Sequence, residues 1–187
     1  MTLEEFEPAQ GLEGRLYELG RGTVIMVDVP HPRLFEQVSA IRRQLSAYDL
    51  ANPGRIHGIA TGSECKILVQ GLASERHPDL AIYKTPPPEH EVWSTWVPEL
   101  VMEVVSPGSA DRDYNEKPDE YLAFGVAEYW VFDLARGEGG EALLHRRRAG
   151  KWARTVVRPP GACRTRQLPG FELDLTAVFT AGRSVSE

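Results

Sequence analysis

The sequence predicts a layered fold of the α/β or α+β class, in which continuous apolar strands are covered on both faces. Residues 98–106 and 128–134 are almost wholly apolar, which is typical of strands with no solvent-facing side. Residues 34–48 instead carry apolar side chains at a spacing of three or four, which indicates an amphipathic helix. Because strand-like and helix-like segments are intermixed, we expect helices packed on a central sheet.

The length of 187 residues fits one domain with a substantial core. Residues 1–14 are interpreted as a lead-in segment without much order, and residues 15–187 as the single domain. Neither a repeat nor a linker-like composition divides the second range.

The first half of the chain is predicted to contain a hairpin, one long helix and three short strands. The helix opens after Pro30 and Pro32 and ends near Asn52, Pro53 and Gly54, since these residues break or cap helices. Gly20 and Gly22 provide the turn of the hairpin. The predicted strands are residues 15–19, 23–29, 55–60, 66–70 and 79–84.

The second half is organised around the two apolar strands. Between them, a Ser-Pro turn and an acidic loop lead into a helix at residues 116–124, which Gly125 terminates. A hairpin of residues 142–148 and 152–157 and a short helix at residues 175–179 follow.

Composition narrows the function classes. A formal charge of −6 and a pI near 5.5 argue against a basic nucleic-acid coat protein, although they allow an enzyme with acidic metal ligands. No run of about 18 apolar residues predicts a membrane span. The acidic N-terminus lacks a signal-like segment, so we expect a cytoplasmic protein. Cys65 and Cys163 are expected to be buried or incidental thiols.

Glu103 is the first indication of chemistry, because it interrupts an otherwise apolar strand. A buried carboxylate costs several kcal/mol unless it is paired, protonated or bound to a cation. Asp79 begins another predicted strand, and two carboxylates from neighbouring strands suit a hard cation such as Mg²⁺. Lys117, one loop beyond Glu103, could then orient a water or stabilise charge. The alternative is an aspartate that caps a turn and a glutamate neutralised by an arginine.

Other polar residues receive mainly structural interpretations. Asp113 is expected to cap the helix rather than to pair with its lysine, and Tyr121 to pack in the core. His77 is expected at the surface, and Arg146, Arg147 and Arg148 in a solvated hairpin. A D/E-x-K sequence at residues 64–66 precedes Asp79, and a turn followed by a half-exposed strand explains it.

Several short motifs follow one another in a fixed order along the chain. They are residues 16–19 with Gly22, then 77–81, 103–107, Asp113, Lys117, Tyr121, 125–133 and 168–173. With these motifs in this order, the sequence resembles the Uma2 family (DUF820) of restriction-endonuclease-like proteins, within the PD-(D/E)xK nuclease superfamily.

The resemblance implies a restriction-endonuclease-like core, a central mixed β-sheet flanked by helices, with Asp79 and Glu103 as ligands of Mg²⁺ or Mn²⁺. Glu18 matches an early acidic position of the family and would assist catalysis. The superfamily's lysine normally lies two residues after the glutamate, where this sequence has Val105. Lys117 is therefore the expected replacement, provided that its helix reaches back over the strand.

The function that follows is a metal-dependent endonuclease, a hydrolase that cuts DNA through a metal-activated water, and similar nucleases suggest a homodimer. A catalytically silent nuclease fold that binds nucleic acid or a protein partner is the alternative. A purely structural dimer module is a third interpretation, with Trp93, Trp96 and Trp130 as interface aromatics.

Overall fold

The computed structural model describes residues 1–9, 15–27, 30–90 and 92–183. They form a six-stranded mixed sheet, a four-stranded antiparallel sheet, a two-stranded ribbon and the helices that pack on them. The helices are α1 (Leu3–Phe6), α2 (Pro32–Ala51), α3 (Val92–Thr95), α4 (Lys117–Phe124) and α5 (Leu175–Arg183). The strands are β1 (Leu16–Gly20), β2 (Thr23–Val27), β3 (Gly58–Ala60), β4 (Ile67–Val69), β5 (Ser74–Arg76), β6 (Leu80–Tyr83), β7 (Leu100–Val104), β8 (Glu128–Asp133), β9 (Glu141–Arg148), β10 (Lys151–Val157), β11 (Ala162–Arg164) and β12 (Glu172–Asp174).

The central sheet has the strand order β10-β9-β8-β7-β6-β3. Strands β7 and β8 run parallel and are connected through α4, as a βαβ unit requires. The other neighbouring pairs run antiparallel, so the sheet is mixed. The predicted fold class, a central mixed sheet flanked by helices, is confirmed.

Strand β7 shows how the two faces of the sheet differ. Because side chains alternate along a strand, Leu100, Met102 and Val104 join the large core under α2 and α5. Val101 joins the second core, which Tyr121 of α4 helps to form. Glu103 shares the face of Val101, so the acidic residue of this apolar strand points towards α4 rather than into the larger core.

The smaller sheet has the order β2-β1-β5-β4. Its β1–β2 hairpin turns at Arg21 and Gly22, with φ angles of 48° and 81°, a backbone that glycine accepts readily. Strand β5 was not predicted, since Ser74, Glu75 and Arg76 contain no apolar residue, yet all three are buried.

The N-terminal lead-in is more ordered than expected over residues 1–9. Thr2 and Glu5 form a capping box on α1, and the amino group of Met1 donates a hydrogen bond of 2.9 Å to the Gly22 carbonyl. Residues 10–14 of this predicted segment lie outside the described residues, as do residues 28–29 of the predicted second strand.

The helix over the site begins earlier than predicted. Residues 110–124 are continuously helical, and Arg112–Glu116 form a π-helical turn before α4. Gly125 ends α4 with a φ of 107°, as predicted. The sequence did not indicate α3, β11 or β12, each of three or four residues. Within the part of the chain that the structure describes, no helix has the length and apolar character needed to cross a membrane.

Candidate active site

The ladder between β6 and β7 places Asp79 beside Glu103. Leu80 pairs with Met102 in this antiparallel ladder, so the preceding Asp79 lies opposite Glu103. The Val104 amide donates a hydrogen bond of 2.7 Å to Asp79 Oδ2, and the Asp79 amide donates one of 3.3 Å to Glu103 Oε2. The two carboxylates therefore lie side by side at one end of the central sheet.

Lys117, the first residue of α4, reaches back over β7. Its Nζ lies 2.9 Å from Glu103 Oε1 and 2.9 Å from Asp113 Oδ1. Asp113 belongs to the π-helical turn, a feature that often marks functional sites in helices. The helix thus supplies both an acidic and a basic side chain to the same end of the sheet.

Tyr121 follows Lys117 by one helical turn and completes the surroundings of Glu103. Its hydroxyl donates a hydrogen bond of 2.7 Å to Glu103 Oε1, while its ring packs edge-on against Tyr129. Tyr121 is therefore a core residue, as expected, and in addition orients the carboxylate. The partners of the Glu103 carboxylate are therefore Lys117 and Tyr121, and not the arginine considered as the alternative.

Glu18 of β1 lines the same cavity from the smaller sheet. Its Oε1 accepts a hydrogen bond of 2.9 Å from the His77 amide, and its Oε2 lies 3.2 Å from Nη1 of Arg76. Burial alone would raise the pKa of Glu18, but Lys117, the His77 amide and Arg76 together lower it. Glu18 is thus an ionised carboxylate whose two oxygens already have donors.

Arg76 is the important residue that the sequence did not reveal. Its fully buried guanidinium contacts Glu120 at 2.7 and 3.0 Å, Glu116 at 3.0 Å and Glu18 at 3.2 Å. The network joins β1 and β5 to α4, and so holds the helix that carries Lys117. The sequence signal that could have indicated such a cation is the pair Glu116 and Glu120, because two like charges one helical turn apart repel each other unless a cation lies between them.

Burial dominates the electrostatics of the carboxylate pair. It raises the pKa of Asp79 to about 6, although Lys117 and the Val104 amide act in the opposite direction. It also raises the pKa of Glu103, where the negative charges of Asp79, Asp113 and Glu18 add to the effect. Burial lowers the pKa of Lys117, but these four carboxylates raise it well above its ordinary value. Lys117 therefore stays an ammonium that faces the carboxyl groups of Glu103 and Asp113.

The donor chemistry of this cavity fits a hard divalent cation. Asp79 Oδ1 accepts no hydrogen bond from the described residues, and Glu103 Oε2 accepts only the long one from Asp79. No group of three or more His, Cys, Asp or Glu side chains converges as a metal cluster within the described ranges. Two carboxylates suffice for Mg²⁺, which usually retains several waters.

Comparison with known proteins agrees with this fold and identifies a family. A family model described as "Uma2: Putative restriction endonuclease" matches residues 3–176. The chain belongs to the Uma2 family. No curated protein matches it.

A solved structure shows the same architecture. It is described as a "putative nuclease belonging to DUF820 from Anabaena variabilis ATCC 29413" and superposes with a TM-score of 0.75 at 16% identity. The alignment covers 97% of this chain and 99% of that chain. At this identity the likeness shows a shared Uma2 fold, and the resemblance inferred from the sequence motifs is confirmed.

Two expectations about single residues are wrong for this Uma2 chain. Asp113 does not cap the helix, since the helix begins before it and its carboxylate pairs with Lys117. His77 is not a surface residue: its side chain is 10% exposed, with Nδ1 2.9 Å from the Cys65 carbonyl and Nε2 3.2 Å from Glu75. Both partners are acceptors, so a ring that donates to both is an imidazolium. Burial lowers the pKa of His77, but these partners raise it overall.

The remaining aromatic and basic motifs lie away from the carboxylate pair. Trp130 is completely buried, which removes it from the set of interface aromatics. Trp96 stacks on Tyr83 and is tilted against Trp93, so these two tryptophans cover the outer end of β6. In the D/E-x-K match at residues 64–66, Lys66 pairs with Glu75 rather than with the cavity residues.

Proposed function

We propose that this Uma2 chain is a metal-dependent nuclease that hydrolyses phosphodiester bonds in DNA. The observation that carries the proposal is that four carboxylates, those of Asp79, Glu103, Asp113 and Glu18, line one cavity of about 400 Å³ together with Lys117. A protein that used this fold only as a scaffold would have no need for so much buried negative charge. The family description supports the nuclease assignment, and DNA is the substrate that the family resemblance implies.

Asp79 and Glu103 would hold Mg²⁺ or Mn²⁺ through the oxygens that have free lone pairs. A bound cation of this kind lowers the pKa of a coordinated water and neutralises charge on a phosphate. Because burial raises the pKa of Asp79 to about 6, metal binding should release its proton mainly below about pH 6, and the release should fade towards neutral pH.

The protein's own residues orient the reacting groups and stabilise charge. Lys117 is held protonated, so it acts as a hydrogen-bond donor and a fixed positive charge beside Glu103 rather than as a base. Tyr121 keeps the Glu103 carboxylate in one orientation. Glu18, whose oxygens bind the His77 amide and Arg76, contributes negative potential and positions the segment that leads into Asp79.

The test is cleavage of supercoiled plasmid and of single-stranded DNA, with Mg²⁺, with Mn²⁺ and with EDTA. We expect wild type to nick DNA only with metal, and Asp79→Asn, Glu103→Gln and Lys117→Met to lose about a hundredfold or more of the rate. Glu138→Gln is the matched control, because Glu138 is exposed and forms no ion pair with the described residues.

Two outcomes would contradict the proposal. Cleavage that survives Glu103→Gln would come from another site or from a contaminant. Binding of DNA without any metal-dependent cleavage would favour the silent nucleic-acid-binding fold, the alternative that the acidic net charge of −6 favours. Light scattering of the same preparation tests the homodimer that the family resemblance implies.

A further inference from the structure

The cationic side chains that line the cavity are not equivalent. Lys117 is engaged by Glu103 and Asp113 at 2.9 Å each. The imidazole of His77 faces the Cys65 carbonyl and Glu75. Arg112 also lines the cavity, and none of the described residues provides its side chain with a hydrogen bond or an ion pair.

The isolation of Arg112 contrasts with the way other arginines are satisfied. Arg76 is fully buried and contacts three carboxylates, and even the half-exposed Arg21 pairs with two. Arg112 is half-buried, and its Nε is shielded from solvent without an acceptor. A buried donor left without a partner is costly, so an unmet acceptor is expected at this position.

An anion that enters the cavity would supply this acceptor. Guanidinium is a planar fork with five donors, and it matches the oxygens of a phosphate better than those of water. Arg112 lies in the π-helical turn directly before Asp113, which pairs with Lys117. A group bound by Arg112 would therefore lie next to the carboxylate and lysine cluster, not at a remote surface.

The local backbone leaves room for such a group. Ser106 and Ser109 close a turn through hydrogen bonds of 2.9 and 3.0 Å to the Ser109 hydroxyl, which fixes the approach to the helical segment. Gly108 lies in this turn, and a Cβ added there would meet no atom within 4 Å. The amide groups in the first turn of the helix at residues 110–124 add positive potential on the same side.

We propose that Arg112 is a phosphate-binding residue of this cavity and contacts a nonbridging oxygen of the nucleic-acid backbone next to the bond that is cut. The inference rests on the proposed nuclease function and identifies the group that holds the substrate's charge. Lys117 neutralises protein carboxylates, whereas Arg112 is free to neutralise the ligand.

The experiment measures binding of a fluorescein-labelled 20-base-pair DNA duplex to the full chain in EDTA, over KCl concentrations from 25 to 200 mM. We compare wild type, Arg112→Gln, Arg112→Lys and Arg43→Gln. Arg43 is the matched control because it is exposed on α2, nine residues beyond Leu34, which lines the cavity. Circular dichroism and thermal unfolding verify that each variant is folded.

Arg112→Gln should weaken binding about tenfold at 50 mM KCl, since one charged hydrogen-bonding contact is lost. It should also make the slope of log K against log salt shallower by about 0.9, the value of one phosphate contact on duplex DNA. Arg112→Lys should recover the slope but only part of the affinity, because lysine lacks the fork. Arg43→Gln should overlay wild type.

Two results overturn the inference, and they are separable from failure of the nuclease proposal. If Arg112→Gln has wild-type affinity and slope, or if wild type does not bind the duplex, Arg112 is not a phosphate ligand. Metal-dependent cleavage by wild type then decides the nuclease proposal independently. If Arg112→Gln shows the loss while wild type never cleaves with Mg²⁺ or Mn²⁺, the phosphate contact stands and the nuclease proposal fails.

Discussion

Replacing Asp79 by asparagine should make the metal-free protein more stable and inactive at the same time. Burial raises the pKa of this carboxyl from 3.8 to about 6. A raised carboxyl pKa means that ionisation disfavours the folded state. The contribution of the Asp79 carboxyl to the stability of the folded state is therefore greatest below pH 3.8, where the group is protonated. It is lost as the pH rises from about 4 to 6 and the group ionises.

The magnitude follows from the size of the shift. Roughly two pKa units, at about 1.4 kcal/mol each, correspond to about 3 kcal/mol at pH 8. The Asp79 side chain borders the cavity and is only partly shielded, so water screens part of this free energy. We therefore expect the asparagine variant to be more stable by about half of it. Asparagine is nearly isosteric, and its oxygen can still accept the Val104 amide. For a domain of this size we expect a rise in Tm of about 3–6 °C.

The assay is thermal unfolding of wild type and Asp79→Asn in EDTA at several pH values between 4 and 8. The difference in Tm should grow with pH up to about 6 and then level off. Adding Mg²⁺ should stabilise wild type but not the variant, because the ligand is gone. Glu138→Gln should show neither effect, since this carboxylate is exposed. If the variant is less stable than wild type at pH 8 in EDTA, ionised Asp79 does not destabilise the metal-free protein and the reasoning is refuted.

Three further results are expected. Arg76→Met should lower the free energy of unfolding by about 3–5 kcal/mol in chemical unfolding, because it leaves buried carboxylates unpaired. Adding Glu120→Gln should restore part of the lost stability. Equal stabilities of the single and double variants would contradict this. Tyr121→Phe removes a hydrogen-bond donor that stabilises the ionised form of Glu103, so the pKa of Glu103 should rise further. The acidic limb of the cleavage pH profile should then move to higher pH. An unchanged profile would show that the hydroxyl is not coupled to catalysis. Burial raises the pKa of the Cys163 thiol to about 12, so a thiol reagent at pH 8 should label this cysteine only after denaturant is added. Rapid labelling of Cys163 in the native protein would contradict its burial.

Much of the site could be predicted because its central pair depends on short-range patterns. Glu103 was identifiable because one charge in an apolar strand is expensive, and Asp79 because it begins a neighbouring strand. The antiparallel register then places them opposite each other. Lys117 required one further assumption, that its helix folds back over β7, and its contact with Glu103 shows that it does. The catalytic roles of these residues stay predictions.

The rest depended on distant partners or on irregular backbone. Strand β5 has no apolar pattern, since its stability comes from the ion pairs of Arg76 with residues on β1 and α4 that are tens of positions away in sequence. Asp113 was misassigned because the helix was expected to start at residue 116, and composition does not reveal a π-helical turn. Arg112, in that same turn, was overlooked for the same reason.

The connection between β6 and β7 has a consequence for engineering. The relative placement of Asp79 and Glu103 depends on the ladder itself, in which Leu80 pairs with Met102, and not on the length of the chain that joins the two strands. Residues 85–90 of that connection are exposed. Added segments in such a surface loop cost little, because closure entropy grows slowly with loop length. This loop is therefore a natural insertion point for a recognition module or a fused reporter, at which the carboxylate pair would keep its geometry.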